Sequence, residues 1–403
     1  MKLAAATPSA VLAALLLTTA APAQTLHRVD GTTLTTAEAR TIADAELARD
    51  RVTGAQIALL HNGRTIWTYA YGLRDVEHHL AMTPDTYIWA ASITKAVFAT
   101  WVMTLVEHHR LDLDRPIAEY MPGGLSGYYH DTSLLTSDPR YRKLTPRMLL
   151  AHTSSLCNYA PADIPDGKLR IQYEPGTRFA YSGEGLTLLQ YVIEQSITHE
   201  PIETSMQRDL FTPLGMNTTS LTWNNRFLAD NAVRYSSTGK FLNYTRKDNA
   251  RASGSMATSV NDLSQFLEAL LANRILQPAT RDEMLTPQII IRAAHQFPTL
   301  DPTTSEEGPS VGLSYGLGWG LLTHTKYGPA FFKEGHGDGA ENYLICFTRH
   351  QDCMVLLTNS DNGELAFRPL LEQLLGDTVT PWTWEAYTRE QILNNPEHQP
   401  QTN

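Results

Sequence analysis

From Ser92 to His109 the sequence is apolar almost all the way round: Ile93, Ala96, Val97, Phe98, Trp101, Val102, Met103, Leu105 and Val106 cover every face of a helical projection. A helix with no polar face has no side to give to water, so it must run through the centre of the molecule with other elements packed around it. At 403 residues, 42% of them hydrophobic and only 18% charged, the chain has the material for such a core and is too long for one small domain. Two interlocked domains are expected.

The elements around the central helix can be read in order. Thr35-Thr36-Ala37-Glu38 has the form of a capping box and opens a helix running towards Arg51. Gln56 to Leu60, then His61-Asn62-Gly63, then Thr65 to Tyr69 is a hairpin with Asn-Gly in its turn. Helical patterns follow at Arg147 to Leu150, Leu186 to Ile197 and Asp262 to Leu271. Strand-like runs return at Tyr315 to Leu322, Tyr343 to Phe347 and Met354 to Leu357, and Leu365 to Leu375 closes as a helix. Strands at both ends with helices between them imply an α+β fold, in which an antiparallel sheet flanked by helices carries an inserted helical lobe. The expected boundaries are a sheet domain over 24–105 and 250–390, a mostly helical domain over 106–249, and a flexible tail over 391–403. Gly123 to Arg142 and Phe297 to Ser310 read as surface insertions near the cleft between the two.

The formal charge of -10 is scattered rather than blocked, and no Lys/Arg-rich stretch is present to follow a phosphate backbone, so nucleic acid is not an expected partner. Lys2, the apolar run Val11 to Leu17 and Ala21-Pro22-Ala23 form an export signal with cleavage expected after Ala23 (segment 1–23). No later segment approaches the roughly 20 apolar residues of a membrane span. A mature protein in the periplasm or medium is therefore expected. Of three cysteines, Cys346 and Cys353 flank a turn at Arg349-His350 and can face each other across a hairpin; two buried thiols are the alternative. Cys157 is expected to stay free. No Cys/His spacing suggests zinc, and the pairs His78-His79 and His108-His109 point different ways, so neither metal nor organic cofactor is expected.

Chemistry enters at the start of the central helix. Ser92 and Lys95 lie three residues apart, on one face of its first turn. A serine hydroxyl becomes a nucleophile when a base takes its proton, and a lysine is that base only when its amine is neutral. Burial in an apolar helix and the positive end of the helix dipole both disfavour the ammonium form of Lys95, and the same dipole favours an alkoxide at Ser92.

The surroundings carry a resemblance. Pro84-Asp85-Thr86-Tyr87-Ile88-Trp89-Ala90-Ala91-Ser92-Ile93-Thr94-Lys95, with Leu105-Val106-Glu107 and Leu111-Asp112-Leu113-Asp114, resembles the nucleophile region of class C β-lactamase-related serine hydrolases. That family includes class C β-lactamases, D-alanyl-D-alanine carboxypeptidases, D-aminopeptidases and family VIII esterases. Leu149-Leu150-Ala151-His152-Thr153-Ser154-Ser155-Leu156, Pro213-Leu214-Gly215-Met216, Tyr315-Gly316-Leu317-Gly318-Trp319 and Leu357-Thr358-Asn359-Ser360 match in the same order, so the resemblance spans Gly54 to Leu375. It implies a β-lactamase/penicillin-binding-protein-like fold and an acyl-enzyme on Ser92. In the family's Tyr-x-Asn motif this chain has Tyr181-Ser182-Gly183, which makes Tyr181 the phenol sharing proton transfer with Lys95. Gly183 is a departure from the asparagine that contacts a substrate amide. The Lys/His-x-Gly motif is matched here to His336-Gly337-Asp338, with His336 in the lysine place and Asp338 where glycine is usual. The oxyanion donors implied are the amides of Ser92 and Gly339. Gly183, Gly337 and Asp338 are expected to border the substrate, and His152 reads as structural.

The resemblance implies a small-molecule ester, β-lactam or peptide substrate, and the His336 and Gly183 departures favour esters or D-amino-acid peptides and amides over β-lactams. Two other readings stay open. One is a non-catalytic protein that binds peptidoglycan peptides in the same cleft. The other is a lipase using Ser314 of Gly312-Leu313-Ser314-Tyr315-Gly316, although the glycine-rich run after it does not suit the helix that a nucleophile elbow requires.

Overall fold

The computed structural model describes residues 25–244 and 246–395. The expected export signal over 1–23 and the last eight residues lie outside them. Helix α1 (Thr36–Arg49) opens on the expected capping box, with Thr35 and Glu38 each accepting from the other's backbone N–H. Strands β1 (Gly54–His61) and β2 (Arg64–Asp75) then form the hairpin, with Asn62 and Gly63 at φ of 52° and 68°, the mirror-image turn that suits the twist of paired strands.

The main sheet is antiparallel and has nine strands among the described residues. Completing it are β3 (Leu80–Ala81), β4 (Ile289–Ile290), β5 (Leu313–Tyr315), β6 (Gly320–Leu322), β7 (Ala330–Gly337), β8 (Ala340–Phe347) and β9 (Asp352–Thr358). Their order is β4-β5-β6-β7-β8-β9-β1-β2-β3, so the first hairpin sits directly beside the last strand and the two ends of the chain share one sheet, as expected. The run Tyr315 to Leu322 is not one strand. It reverses between Tyr315 and Gly320 into the β5–β6 hairpin.

Residues of each central strand alternate between two cores. Ala58, Leu60, Phe331, Leu344, Val355 and Leu357 face the helix α2 (Ile93–Glu107). Ile57, Leu59, Phe332, Tyr343, Ile345 and Leu356 face α1 and the late helix α5 (Gly363–Leu370). This period of two places a sheet between two helical layers and fixes which side each strand residue points to. Helix α2 is buried on all sides, and Trp101 and Phe98 on it are inaccessible to solvent. Burial of that kind contributes roughly 1.5–3 kcal/mol for each large apolar side chain.

Between α2 and α4 (Val260–Leu271) the chain adds no strand to the main sheet among the described residues. It supplies helices instead, including α3 (Gly183–Ile193) and the short Pro146–Leu150. Cys346 and Cys353 are directly opposed on β8 and β9 and form a disulfide, while Cys157 is free and buried. The expectation of a flexible tail over 391–403 does not hold at its start, where Arg389–Asn394 is a helix capped by Thr388 and Gln391.

Candidate active site

Ser92 stands at the N-cap of α2, partly exposed, directly after Ala91, which is held at a φ of 45°. A left-handed alanine costs on the order of 1 kcal/mol, and strain of this kind gathers where a side chain must be aimed. The Lys95 amine lies 2.8 Å from the Ser92 hydroxyl and also donates to the carbonyl of Ser253 at 2.5 Å. Burial, and secondarily the charge of Lys333, hold the Lys95 ammonium well below its ordinary pKa, against an opposing pull from Glu334. A neutral amine can give one hydrogen to Ser253 and turn its lone pair towards the Ser92 proton.

Tyr181 lies just ahead of α3, whose first turn is capped by the Ser182 hydroxyl. Its ring sits between two lysines, with Lys95 Nζ 4.8 Å and Lys333 Nζ 4.9 Å from the centroid. Burial, then Glu334 and Tyr315, push the phenol well above its usual pKa, while the nearby Ser92 hydroxyl acts the other way. The Ser92 hydroxyl does not reach hydrogen-bond geometry, and the Tyr181 oxygen is buried with no hydrogen-bond partner among the described residues. Both shifts favour the uncharged forms of phenol and amine, so Tyr181 can pass a proton on after Lys95 has taken one. His152 packs against Tyr181 with ring centroids 4.4 Å apart and accepts the Ser182 N–H at its Nδ1. Burial and the two lysines keep it uncharged, in keeping with a structural role.

The structure does not bring His336 to this group. Phe331 belongs to the α2 side of β7 and Phe332 to the other, so Lys333, Gly335 and Gly337 face the nucleophile while Glu334 and His336 face away. A Cβ on Gly335 would lie 2.3 Å from the Ala90 carbonyl oxygen and one on Gly337 would lie 2.4 Å from the Trp89 ring, which confirms the direction and shows how closely β7 approaches α2. His336 instead meets Glu341 at 2.8 Å and Glu364 at 2.7 Å, and the Glu341 carboxylate above all holds its pKa well above the usual range. The residues that satisfy Lys-x-Gly on the site-facing side are Lys333-Glu334-Gly335. Sequence reading missed them, although the pattern stands immediately before the one chosen.

Gly339 is also displaced from its expected role. It lies in the β7–β8 turn, and its N–H is already donated to the Asp361 carboxylate. Asp338 is exposed in the same turn, where its carbonyl accepts from Arg234. Gly337 does border the site, against Trp89. Gly183 has no room for a side chain, because a Cβ there would lie 2.6 Å from the Asn158 carbonyl oxygen. The edge of β7 is covered by β6 only as far as Phe332, which leaves 333–337 without a partner strand on the side next to Ser92 and Tyr181. Ser314 is excluded as a nucleophile: it is 2% exposed on β5 and donates to the Gly312 carbonyl.

A family model described as Beta-lactamase matches residues 39–376. The chain belongs to the Beta-lactamase family. Curated relatives of this Beta-lactamase family member include Protein flp of Staphylococcus aureus, 24% identical over 249 residues, which is 57% of this chain and 47% of that protein. Putative penicillin-binding protein PbpX of Bacillus subtilis is 23% identical over 241 residues, 57% of this chain and 58% of its own. The chain thus matches about half the length of these relatives. Solved structures show the same fold. A penicillin-binding protein homologue from Pyrococcus abyssi superposes with a TM-score of 0.67 at 21% identity over 85% of this chain and 78% of that one. D-alanine carboxypeptidase AmpC from Burkholderia cenocepacia gives 0.65 at 19% over 84% and 99%, and D-amino acid amidase from Ochrobactrum anthropi gives 0.64 at 23% over 83% and 96%.

Proposed function

We propose that the chain is an exported serine hydrolase that forms an acyl-enzyme on Ser92 and acts on esters or on peptides and amides of D-amino acids. The observation that carries this reading is the buried amine of Lys95, 2.8 Å from the Ser92 hydroxyl. Ser92 Oγ attacks the substrate carbonyl carbon as its proton passes to Lys95 Nζ. The carbonyl oxygen becomes an oxyanion facing the Ser92 N–H at the start of α2. With Lys333-Glu334-Gly335 as the third motif, the amide that follows it is that of His336, on the open edge of β7, and this is the second donor. Tyr181 hands the proton to the leaving group as the bond to it breaks. Water then attacks the ester along the same route in reverse and frees Ser92.

Lys333 weakens one argument about substrate. The preference against β-lactams rested partly on a histidine in the lysine position, and Lys333 supplies an ammonium there. That charge is already paired with the buried Glu334 carboxylate at 2.5 Å, and no asparagine stands at 183, so esters and D-peptides remain the favoured class. The names of two structural neighbours, a D-alanine carboxypeptidase and a D-amino acid amidase, point the same way. Export rests on the pattern Lys2, Val11 to Leu17 and Ala21 to Ala23, and the Cys346–Cys353 disulfide suits an oxidising compartment.

The test is a rate comparison for p-nitrophenyl butyrate, a D-alanyl-D-alanine peptide and a chromogenic cephalosporin, each with wild type and Ser92→Ala. Ester or D-peptide turnover that disappears in the variant supports the proposal. Cephalosporin as the best substrate would make the protein a β-lactamase, and no turnover of any of the three would favour a peptide-binding protein.

A further inference from the structure

We propose that His336, Glu341 and Glu364 form a binding site for a divalent cation of the zinc class, on the face of the sheet opposite Ser92. The three residues come from three elements and converge only through the fold. His336 and Glu341 are direct cross-strand partners in β7 and β8, and Glu364, in the first turn of α5, closes over them. Their ligating atoms all lie within 4.8 Å of one another. Ligands around a tetrahedral zinc stand roughly 3.4 Å apart, given metal–ligand distances of about 2.0–2.2 Å, so small side-chain rotations close the site.

A second observation points to an absent ligand. Glu341 is 1% exposed, and although one of its oxygens lies 2.8 Å from His336 Nδ1, neither makes a well-formed hydrogen bond among the described residues, while Glu364 sets a second carboxylate against the same imidazole. A buried carboxylate in that condition is costly, and coordination to a cation is one of the few ways to satisfy it. Two carboxylates balance the charge of a divalent ion, and one imidazole nitrogen with two carboxylate oxygens suits zinc better than calcium or magnesium, which favour all-oxygen shells. His336 is exposed, which gives the ion a way in and leaves a fourth position for water. The acyl transfer proposed at Ser92 uses the backbone N–H of His336 but neither its ring nor the two carboxylates, so the role is structural, fixing the end of the strand that carries Lys333 and Gly335.

The experiment is calorimetric titration of the chelator-treated full chain with zinc chloride, with calcium chloride as comparison, alongside thermal unfolding with and without zinc. Wild type should bind one zinc per chain at micromolar affinity or tighter, with a rise in melting temperature and no comparable response to calcium. His336→Gln, Glu341→Gln and Glu364→Gln should each weaken binding by at least about tenfold. If Glu341→Gln does not fold, the two other variants decide. No saturable zinc binding by wild type overturns the proposal, as does binding that is unchanged in His336→Gln and Glu364→Gln, which would place the ion on histidines elsewhere.

Discussion

At the scale of single residues, proton transfer depends on Lys95 and Tyr181, whose ionisation burial has shifted in opposite senses, the amine down and the phenol up. Ser92→Ala should remove turnover, with kcat/KM down by on the order of a thousandfold or more, because the attacking atom is gone. Tyr181→Phe removes one hydroxyl and keeps the ring between the two lysines; kcat should fall by about 10²–10⁴ with a smaller change in KM, read by steady-state kinetics. The pH profile follows from the lowered pKa of Lys95. Below that pKa the amine is charged and cannot take the Ser92 proton, so kcat/KM should rise with pH through it and stay high until the raised pKa of Tyr181 is approached. Lys333→Gln removes a like charge and leaves Glu334 behind, and both changes favour the ammonium form of Lys95. The acid limb should move to higher pH in that variant; an unmoved limb would show that Lys333 does not act on Lys95. Ser92 and Lys95 were legible in the sequence from their spacing on one helical turn and Tyr181 from the family resemblance of its motif, and the fold brings the three side chains together. The lysine of the third motif was not legible, because Lys333-Glu334-Gly335 and His336-Gly337-Asp338 overlap the same glycine-rich stretch. They differ only in which residues face α2, a matter of strand parity that Phe331 and Phe332 settle once the two cores are known.

At the scale of elements, the contact between β7 and α2 positions the chemistry. Gly335→Ala would place a Cβ 2.3 Å from the carbonyl oxygen of Ala90, a backbone atom that cannot swing aside. The strand must move away from the nucleophile, so the variant should lose about 1–3 kcal/mol of stability in urea unfolding and lose turnover well beyond what that stability change explains. The disulfide joins β8 and β9 seven residues apart, and replacing both Cys346 and Cys353 with alanine should lower unfolding free energy by about 2 kcal/mol while leaving kcat near wild type. The hairpin of β1 and β2, helix α1 and helix α2 were all visible in sequence, since a capping box, an Asn-Gly turn and an unbroken apolar run are local signals. Strand β7 was not, because Lys333, Glu334 and His336 interrupt its apolar alternation; they are there for the sites on its two faces rather than for the sheet.

At the scale of the whole molecule, a central helix enclosed by other elements buries the cationic side chain of Lys95 in its first turn, directly beside the partly exposed Ser92. Trp101→Ala, two turns along α2 from Ser92 and inaccessible to solvent, should cost about 3–5 kcal/mol, a loss a denaturant titration resolves. The sharing of one sheet by both ends of the chain was legible from the order of strand and helix signals alone. The convergence of His336, Glu341 and Glu364 was not, since nothing local links a strand end to a helix that begins after two further strand segments. What joins these levels is the claim that Ser92 is the nucleophile, activated by Lys95. Intact-protein mass spectrometry after incubation with a fluorophosphonate probe, followed by peptide mapping, tests it most directly. One adduct per chain located on Ser92, absent in Ser92→Ala and much slowed in Lys95→Ala, is the predicted result; an adduct on another serine, or full labelling of Ser92→Ala, would contradict it.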